Sequence, residues 1–180
     1  TIQGEGFHTG KHAVFCRFSG CNLWTGLEKD RKKAICNFCD TDFVGTDGIN
    51  GSKYPNAEQL ANEIDKVWDK DINEKFVVFT GGEPLLQLDK PLVDLLHKKK
   101  FKVAIETNGT ILPPENIDWI CVSPKQGADF NLKYGNELKL VYPQKGLEPK
   151  NFKHLDFDHF FLQPMLCLLF FHNFSQSYKE

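Results

Sequence analysis

The chain has 180 residues, with 22 basic against 24 acidic side chains, a formal net charge of −2 and 41% hydrophobic residues. That length supports one domain with a true core, which excludes a pair of full-sized domains and a disulfide-stapled mini-protein. The near-balanced charge gives no footprint for nucleic acid, and the longest apolar run, Leu166 to Phe171, is far short of the roughly 20 residues of a bilayer-spanning helix, so a soluble cytoplasmic protein is expected.

The chain opens on Thr1 rather than Met, so its natural start is expected upstream. Ala13 to Phe18 is β-branched and aromatic and stops at Ser19-Gly20, which predicts a strand with Val14, Cys16 and Phe18 on one face and Phe15 and Arg17 on the other. Residues 19 to 53 carry glycines, charges and no sustained periodicity, and read as a long functional loop. After Pro55, Asn56 is a candidate N-cap for a helix that places Leu60, Ile64, Val67 and Trp68 on one face, with Glu58 in its first turn. Lys75 to Thr80 is an apolar run halted by Gly81-Gly82, as in a buried parallel strand. A second helix is expected over Asp89 to Lys99, and its terminal lysines Lys98 to Lys100 suit a solvated C-terminal cap. Short strands follow at Lys102 to Glu106, Trp119 to Ser123, Glu137 to Tyr142 and His159 to Gln163. Six strands and two clear helices predict an α/β fold with mostly parallel strands. Eight βα units would need about 250 residues, so an incomplete TIM-like barrel of about six strands is expected.

Four of the six cysteines, Cys16, Cys21, Cys36 and Cys39, crowd into one stretch, which points to a metal site in a reducing compartment rather than to disulfides. Cys21, Cys36 and Cys39 stand as C-x14-C-x2-C in the long loop. Three thiolates hold three irons of a [4Fe–4S] cube and leave the fourth open to a ligand. Cys16 would complete a four-cysteine zinc site, although its mid-strand position argues against that, and reduced structural cysteines are the third reading. Gly81-Gly82-Glu83-Pro84 lies where parallel sheets present ligands, with Glu83 a candidate acceptor for an ammonium group; a plain turn is the alternative. Glu106-Thr107-Asn108-Gly109 and Ser123-Pro124-Lys125 end the next two strands, and the coincidence of polar groups at equivalent strand ends suggests one barrel mouth. Cys121 reads as core, and His154, His159 and His172 lack metal-site spacing.

The three cysteines with GGEP resemble the radical S-adenosylmethionine superfamily. Together with TIQGEG, FCRFSGCNLW, NFCDTDFVGTDG, ETNG, SPK and FLQPM, the long first cysteine gap resembles the 7-carboxy-7-deazaguanine synthase family from Thr1 to about Met165. The resemblance implies a lyase in queuosine and related 7-deazapurine biosynthesis, converting 6-carboxy-5,6,7,8-tetrahydropterin to 7-carboxy-7-deazaguanine with loss of ammonia. It implies a 5′-deoxyadenosyl radical as oxidant of the substrate C–H bond, a [4Fe–4S] cluster, S-adenosylmethionine and Mg²⁺ as cofactors, a flavodoxin or ferredoxin as reductant, and a homodimer.

Carried over residue by residue, the resemblance implies Cys21, Cys36 and Cys39 as cluster ligands and Thr41 as a Mg²⁺ ligand; for Thr41 a turn residue is the bland alternative. Phe38, Cys39, Asp40, Gly82, Glu83, Ser123, Pro124, Lys125, Gln163, Pro164 and Met165 match cofactor contacts. Gln3, Gly4, Glu5, Arg17, Thr80 and Glu106 match substrate contacts. A bidentate guanidinium suits a carboxylate at the bottom of a barrel, which fits Arg17, the alternative being a structural ion pair.

Residues 1–165 read as a single core domain. Residues 166–180 follow no part of the family pattern and form an atypical tail, with Leu166 where an acidic residue is usual, Cys167 without a role and an aggregation-prone LCLLFF run. Two rival readings remain at the level of residues: a non-catalytic zinc-stabilised binding domain, and a radical activase acting on a partner protein.

Overall fold

The computed structural model describes residues 1–165, so the expectations for Leu166, Cys167, His172 and the tail as a whole lie outside the described residues. Six strands form one sheet in sequential order: β1 (Val14–Phe18), β2 (Phe76–Gly81), β3 (Lys102–Thr107), β4 (Trp119–Val122), β5 (Tyr134–Tyr142) and β6 (Asp156–Pro164). Every neighbouring pair is parallel, and β1 and β6 stand at the two ends of the order, as in a barrel that does not close.

Two crossovers are helical. In α1 (Ala57–Val67), Asn56 caps the first turn by accepting from the Gln59 amide. In α2 (Lys90–Lys98), Asp89 does the same for Leu92, and Pro91 occupies the first turn, where its missing N–H costs nothing. The buried stripes are Ala61 and Ile64 of α1 and Leu92, Val93 and Leu96 of α2. They cover the outer side chains of β1 to β3 in one core that includes Trp68, Phe76 and Phe79. Val67 departs from the predicted face: it is 40% exposed, and the small Ala61 takes the helix-to-sheet contact instead.

The remaining crossovers are loops. Pro113-Pro114, Pro124, Pro143 and Pro149 interrupt them, and proline inside a helix removes a hydrogen bond and clashes with the preceding turn. Phe152, with Leu147 and Leu155 alongside, takes the place of a helix over Val122, Leu138 and Leu140. The bottom of the barrel is stopped by the N-terminal segment. Ile2 bridges to His12, and Phe7 stacks on Trp119 at 5.0 Å and on His159 at 4.3 Å. Thus His159 serves as an aromatic plug rather than a ligand. No helix among the described residues is long and apolar enough to cross a membrane.

Candidate active site

The upper face of the sheet opens into a cavity of about 600 Å³. It gathers chain segments far apart in sequence: the residue 3–5 strap, β1, the cysteine loop, the ends of β2 and β3, the turn after β4, and the ends of β5 and β6.

The cysteine loop is held by its own small core. Trp24, Leu23, Cys36 and Phe43 are all buried, and Trp24 meets Phe43 edge to face at 5.6 Å. The 3-10 turn Glu28–Lys33, which periodicity had not revealed, carries Arg31 onto the Trp24 ring, with 4.1 Å between guanidinium carbon and ring centre. From there Arg31 donates to the carbonyls of Asn37 (3.1 Å) and Cys39 (2.9 Å), fixing the C-x2-C turn. A second fastening ties the loop to β3: Asn108 Nδ2 donates to Asn22 Oδ1 at 3.0 Å, and Asn22 Nδ2 donates to Thr110 Oγ1 at 2.8 Å. Asn108-Gly109 is therefore more than a turn.

Cys21, Cys36 and Cys39 all line the cavity, whereas Cys16 projects from the other face of β1 into the helix-covered core, where burial pushes its thiol up to about 12. The four-cysteine set is thereby broken. A hydrogen bond from the Cys36 thiol pulls Cys39 down to about 6 against the opposing effect of burial, and Thr41 adds to the pull with its own hydrogen bonds. The same Cys36–Cys39 hydrogen bond, with burial, raises Cys36; burial raises Cys21. Among the described residues no three His, Cys, Asp or Glu side chains gather closely enough to hold one metal ion. Three thiols on one cavity, with Cys16 turned away into the core, fit a cluster held by three thiolates and not a four-cysteine zinc set.

The glycine turn lies against this loop. Gly81 has φ +145°, and a Cβ there would run into the Phe18 backbone. At Gly82 a Cβ would collide with the Gly20 carbonyl and sit 2.7 Å from Cys21 Cβ, so only glycine lets β2 approach the cysteine loop this closely. Both glycines line the cavity. Glu83 does not, and this corrects its expected role as an ammonium acceptor. It is fully buried, and its carboxylate accepts from the Leu85 amide (3.0 Å), the Thr107 hydroxyl (2.8 Å) and the Asn108 amide (2.8 Å). Burial raises its proton affinity while these three donors oppose the rise. Glu83 thus fastens the glycine turn to the end of β3. Pro124 is buried and also absent from the lining, although its carbonyl accepts from Gln144.

The rest of the wall divides by charge. Arg17 is exposed to the cavity instead of buried at the barrel bottom. It donates to the Gly81 carbonyl at 3.3 Å, and no carboxylate pairs with it among the described residues, so the structural ion pair is not found. Lys125 donates to the Ser123 carbonyl and hydroxyl, both at 2.6 Å, and burial lowers its proton affinity. Opposite stand Glu5 and Glu106. Gln3 donates to Glu106 at 2.9 Å and Thr80 does so at 3.4 Å. Phe38, Asp40, Thr41, Gly4, Gln163, Pro164 and Met165 complete the expected lining.

Cys121 and Lys139 are among the lining residues to which the sequence reading gave no site role. Cys121 is buried, as expected of a core residue, and also forms part of the cavity wall from β4. Lys139, 7% exposed, bridges Glu5 at 2.8 Å and Glu106 at 3.4 Å. The signal was present: in GNELKLVY, Glu137, Lys139 and Val141 share one face of an otherwise apolar strand, and a lysine in that position needs a buried partner.

Three comparisons bear on this site. Residues 32–148 match the model of the radical SAM superfamily. The 7-carboxy-7-deazaguanine synthase of Bordetella pertussis is 59% identical over 165 residues, which are 92% of this chain and 79% of the relative. The enzyme of the same name from Bradyrhizobium diazoefficiens is 56% identical over the same shares. Among solved structures, the crystal structure of QueE from Escherichia coli superposes with a TM-score of 0.58 at 28% identity, covering 80% of this chain and 68% of that one.

Proposed function

Because the chain belongs to the radical SAM superfamily and, within it, to the 7-carboxy-7-deazaguanine synthases, we propose that its cavity converts 6-carboxy-5,6,7,8-tetrahydropterin to 7-carboxy-7-deazaguanine with loss of ammonia. The chain is a radical SAM lyase of 7-deazapurine biosynthesis, and that family carries a [4Fe–4S] cluster and S-adenosylmethionine. When bound, the cluster and S-adenosylmethionine supply the radical that removes a substrate hydrogen atom.

The observation that carries the reading is convergence: three cavity-facing thiols, the open backbone of Gly82 and a wall with one guanidinium, two lysine ammonium groups and three carboxylates meet in a single chamber. In this reading Cys21, Cys36 and Cys39 hold the cluster. Gly82, Phe38, Asp40, Ser123, Lys125, Gln163, Pro164 and Met165 surround S-adenosylmethionine, with Pro124 and Glu83 shaping the backbone behind them. Gln3, Gly4, Glu5, Thr80 and Glu106 receive the N–H edges of the pterin, because carboxylates and amide oxygens accept from such donors. Arg17, free of any protein carboxylate among the described residues, receives the substrate carboxylate as a two-pronged pair. Thr41 adds a hydroxyl oxygen for Mg²⁺, a hard cation that completes its shell with water and substrate oxygen. We read residues 1–165 as one core domain and 166–180 as a separate tail. A cytoplasmic homodimer served by a flavodoxin or ferredoxin belongs to the same reading.

A wall charged for a small anionic heterocycle favours this over a radical activase of partner proteins. The test is turnover. Anaerobically reconstituted protein, given S-adenosylmethionine, Mg²⁺, dithionite and the pterin, should yield 7-carboxy-7-deazaguanine by mass spectrometry together with free ammonia. Formation of 5′-deoxyadenosine with an unchanged pterin would overturn the substrate assignment.

A further inference from the structure

Lys139 has no place in the ligand set above, yet it is the best-buried cation in a direct ion pair of this cavity. Its side chain is 7% exposed, and its ammonium nitrogen stands 2.8 Å from Glu5 Oε2 and 3.4 Å from Glu106 Oε1. Burial works against its charge, but Cys121, Glu106 and Glu5 outweigh burial and hold it above the ordinary lysine range. Among the described residues no other cation reaches either carboxylate within ion-pair distance. Arg17, which also lines the cavity, pairs with neither of them and donates to the Gly81 carbonyl. Two carboxylates share one ammonium, one from the N-terminal strap and one from the end of β3, and without it neither has a cationic partner among the described residues.

The remaining acceptor capacity shows what the arrangement is for. Glu106 Oε1 already takes Gln3 and Lys139, while Oε2 takes Thr80 alone at a long 3.4 Å. Glu5 Oε2 takes Lys139, and Oε1 accepts from no donor among the described residues. One oxygen of each carboxylate is therefore anchored and the other is left to a ligand. Two anchored carboxylates with free oxygens are complementary to adjacent N–H donors on a planar heterocycle. Lys139 is also donor-only, so it cannot substitute for them in that role.

We infer that Lys139 is a positioning residue for substrate recognition: it clamps Glu5 and Glu106 as a matched pair of acceptors, and through them selects a ligand with neighbouring N–H groups. The inference rests on the pterin reading for the identity of that ligand, but the clamp itself does not. The first arm of the test measures binding on reconstituted protein. Lys139→Met takes the shared ammonium from two carboxylates that keep part of their solvent, Glu5 at 46% and Glu106 at 25% side-chain exposure, so it should weaken 6-carboxytetrahydropterin binding by about 10-fold and leave S-adenosylmethionine binding within about twofold. Lys139→Arg, which keeps the charge, should recover most of the affinity. Equal weakness of the Arg and Met variants, or unchanged pterin affinity in the Met variant, would overturn the inference.

The second arm uses no pterin. In thermal unfolding, Glu5→Gln should destabilise the wild type but stabilise the Lys139→Met background, because it removes one of two facing charges. Additive effects of the two changes would refute the clamp. If wild-type protein binds no pterin while the unfolding cycle shows this reversal of sign, the substrate reading fails and the clamp stands. If Lys139→Met does not fold on its own, recovery of a folded Lys139→Met/Glu5→Gln protein gives the same answer.

Discussion

Replacing Glu83 by alanine tests how the glycine turn is fastened. Glu83 is fully buried, and its carboxylate is the common acceptor for the Leu85 amide, the Thr107 hydroxyl and the Asn108 amide at 2.8 to 3.0 Å. Alanine leaves all three donors without that acceptor. A buried donor stranded in this way costs about 1–3 kcal/mol, and hydrogen bonds to a charged group lie at the upper end. Relief from burying a carboxylate offsets part of the loss, so a net cost of about 3 kcal/mol is expected. For a chain of this length that corresponds to a fall in Tm of roughly 6–12 °C. The assay is thermal unfolding by circular dichroism of the cluster-free protein under reducing conditions, which removes cofactor binding from the result. The sign of the pH dependence follows from the raised proton affinity of Glu83. A carboxyl bound more tightly to its proton in the folded state contributes stability that is fully present below the ordinary carboxylate range and is lost as pH rises through the folded value. The wild type should therefore gain on Glu83→Gln, which cannot titrate, as pH falls from neutral toward that range. A Tm for Glu83→Ala within about 1 °C of wild type would refute the fastening argument, since it would mean that the three donors find water or other partners at no cost.

Four further outcomes follow from the same geometry. Gly82→Ala must push β2 away from Gly20 and Cys21, so iron retention after reconstitution should drop severalfold, measured against protein concentration. Arg31→Ala removes the clasp on the Asn37 and Cys39 carbonyls and should lower iron retention more modestly, with Arg31→Lys recovering little because it cannot both stack on Trp24 and reach two carbonyls. Cys16→Ala should keep the full iron content while Cys21→Ala loses it; equal loss in both would restore the four-cysteine reading. Arg17→Leu should raise the pterin KM at least tenfold with S-adenosylmethionine binding unchanged, and unaltered kinetics would remove Arg17 from the substrate site.

The amino-acid sequence already contains most of this fold, because apolar runs closed by Gly, Pro or Asn mark all six strands and N-capped periodic segments mark both helices. It misleads where a helix face is assigned by hydrophobicity alone: Val67 is the larger residue, but close packing against the sheet favours Ala61. The spacing of Cys21, Cys36 and Cys39 suggested that they belong together, and the structure brings all three to one cavity. Glu83 was misassigned because the identity of a turn carboxylate says nothing about whether it faces the ligand or the backbone of the neighbouring strand. Lys139 and the Asn22–Asn108 fastening were missed for a related reason: their partners lie 134, 33 and 86 positions away in sequence, and only the sheet order brings them together.

The central claim is that three thiols hold a cluster with one iron open to S-adenosylmethionine. Electron paramagnetic resonance on anaerobically reconstituted, dithionite-reduced protein tests it most directly. The account predicts a reduced [4Fe–4S] signal whose g values shift when S-adenosylmethionine is added. Stoichiometric zinc with no such signal, or a cluster signal indifferent to S-adenosylmethionine, would contradict it.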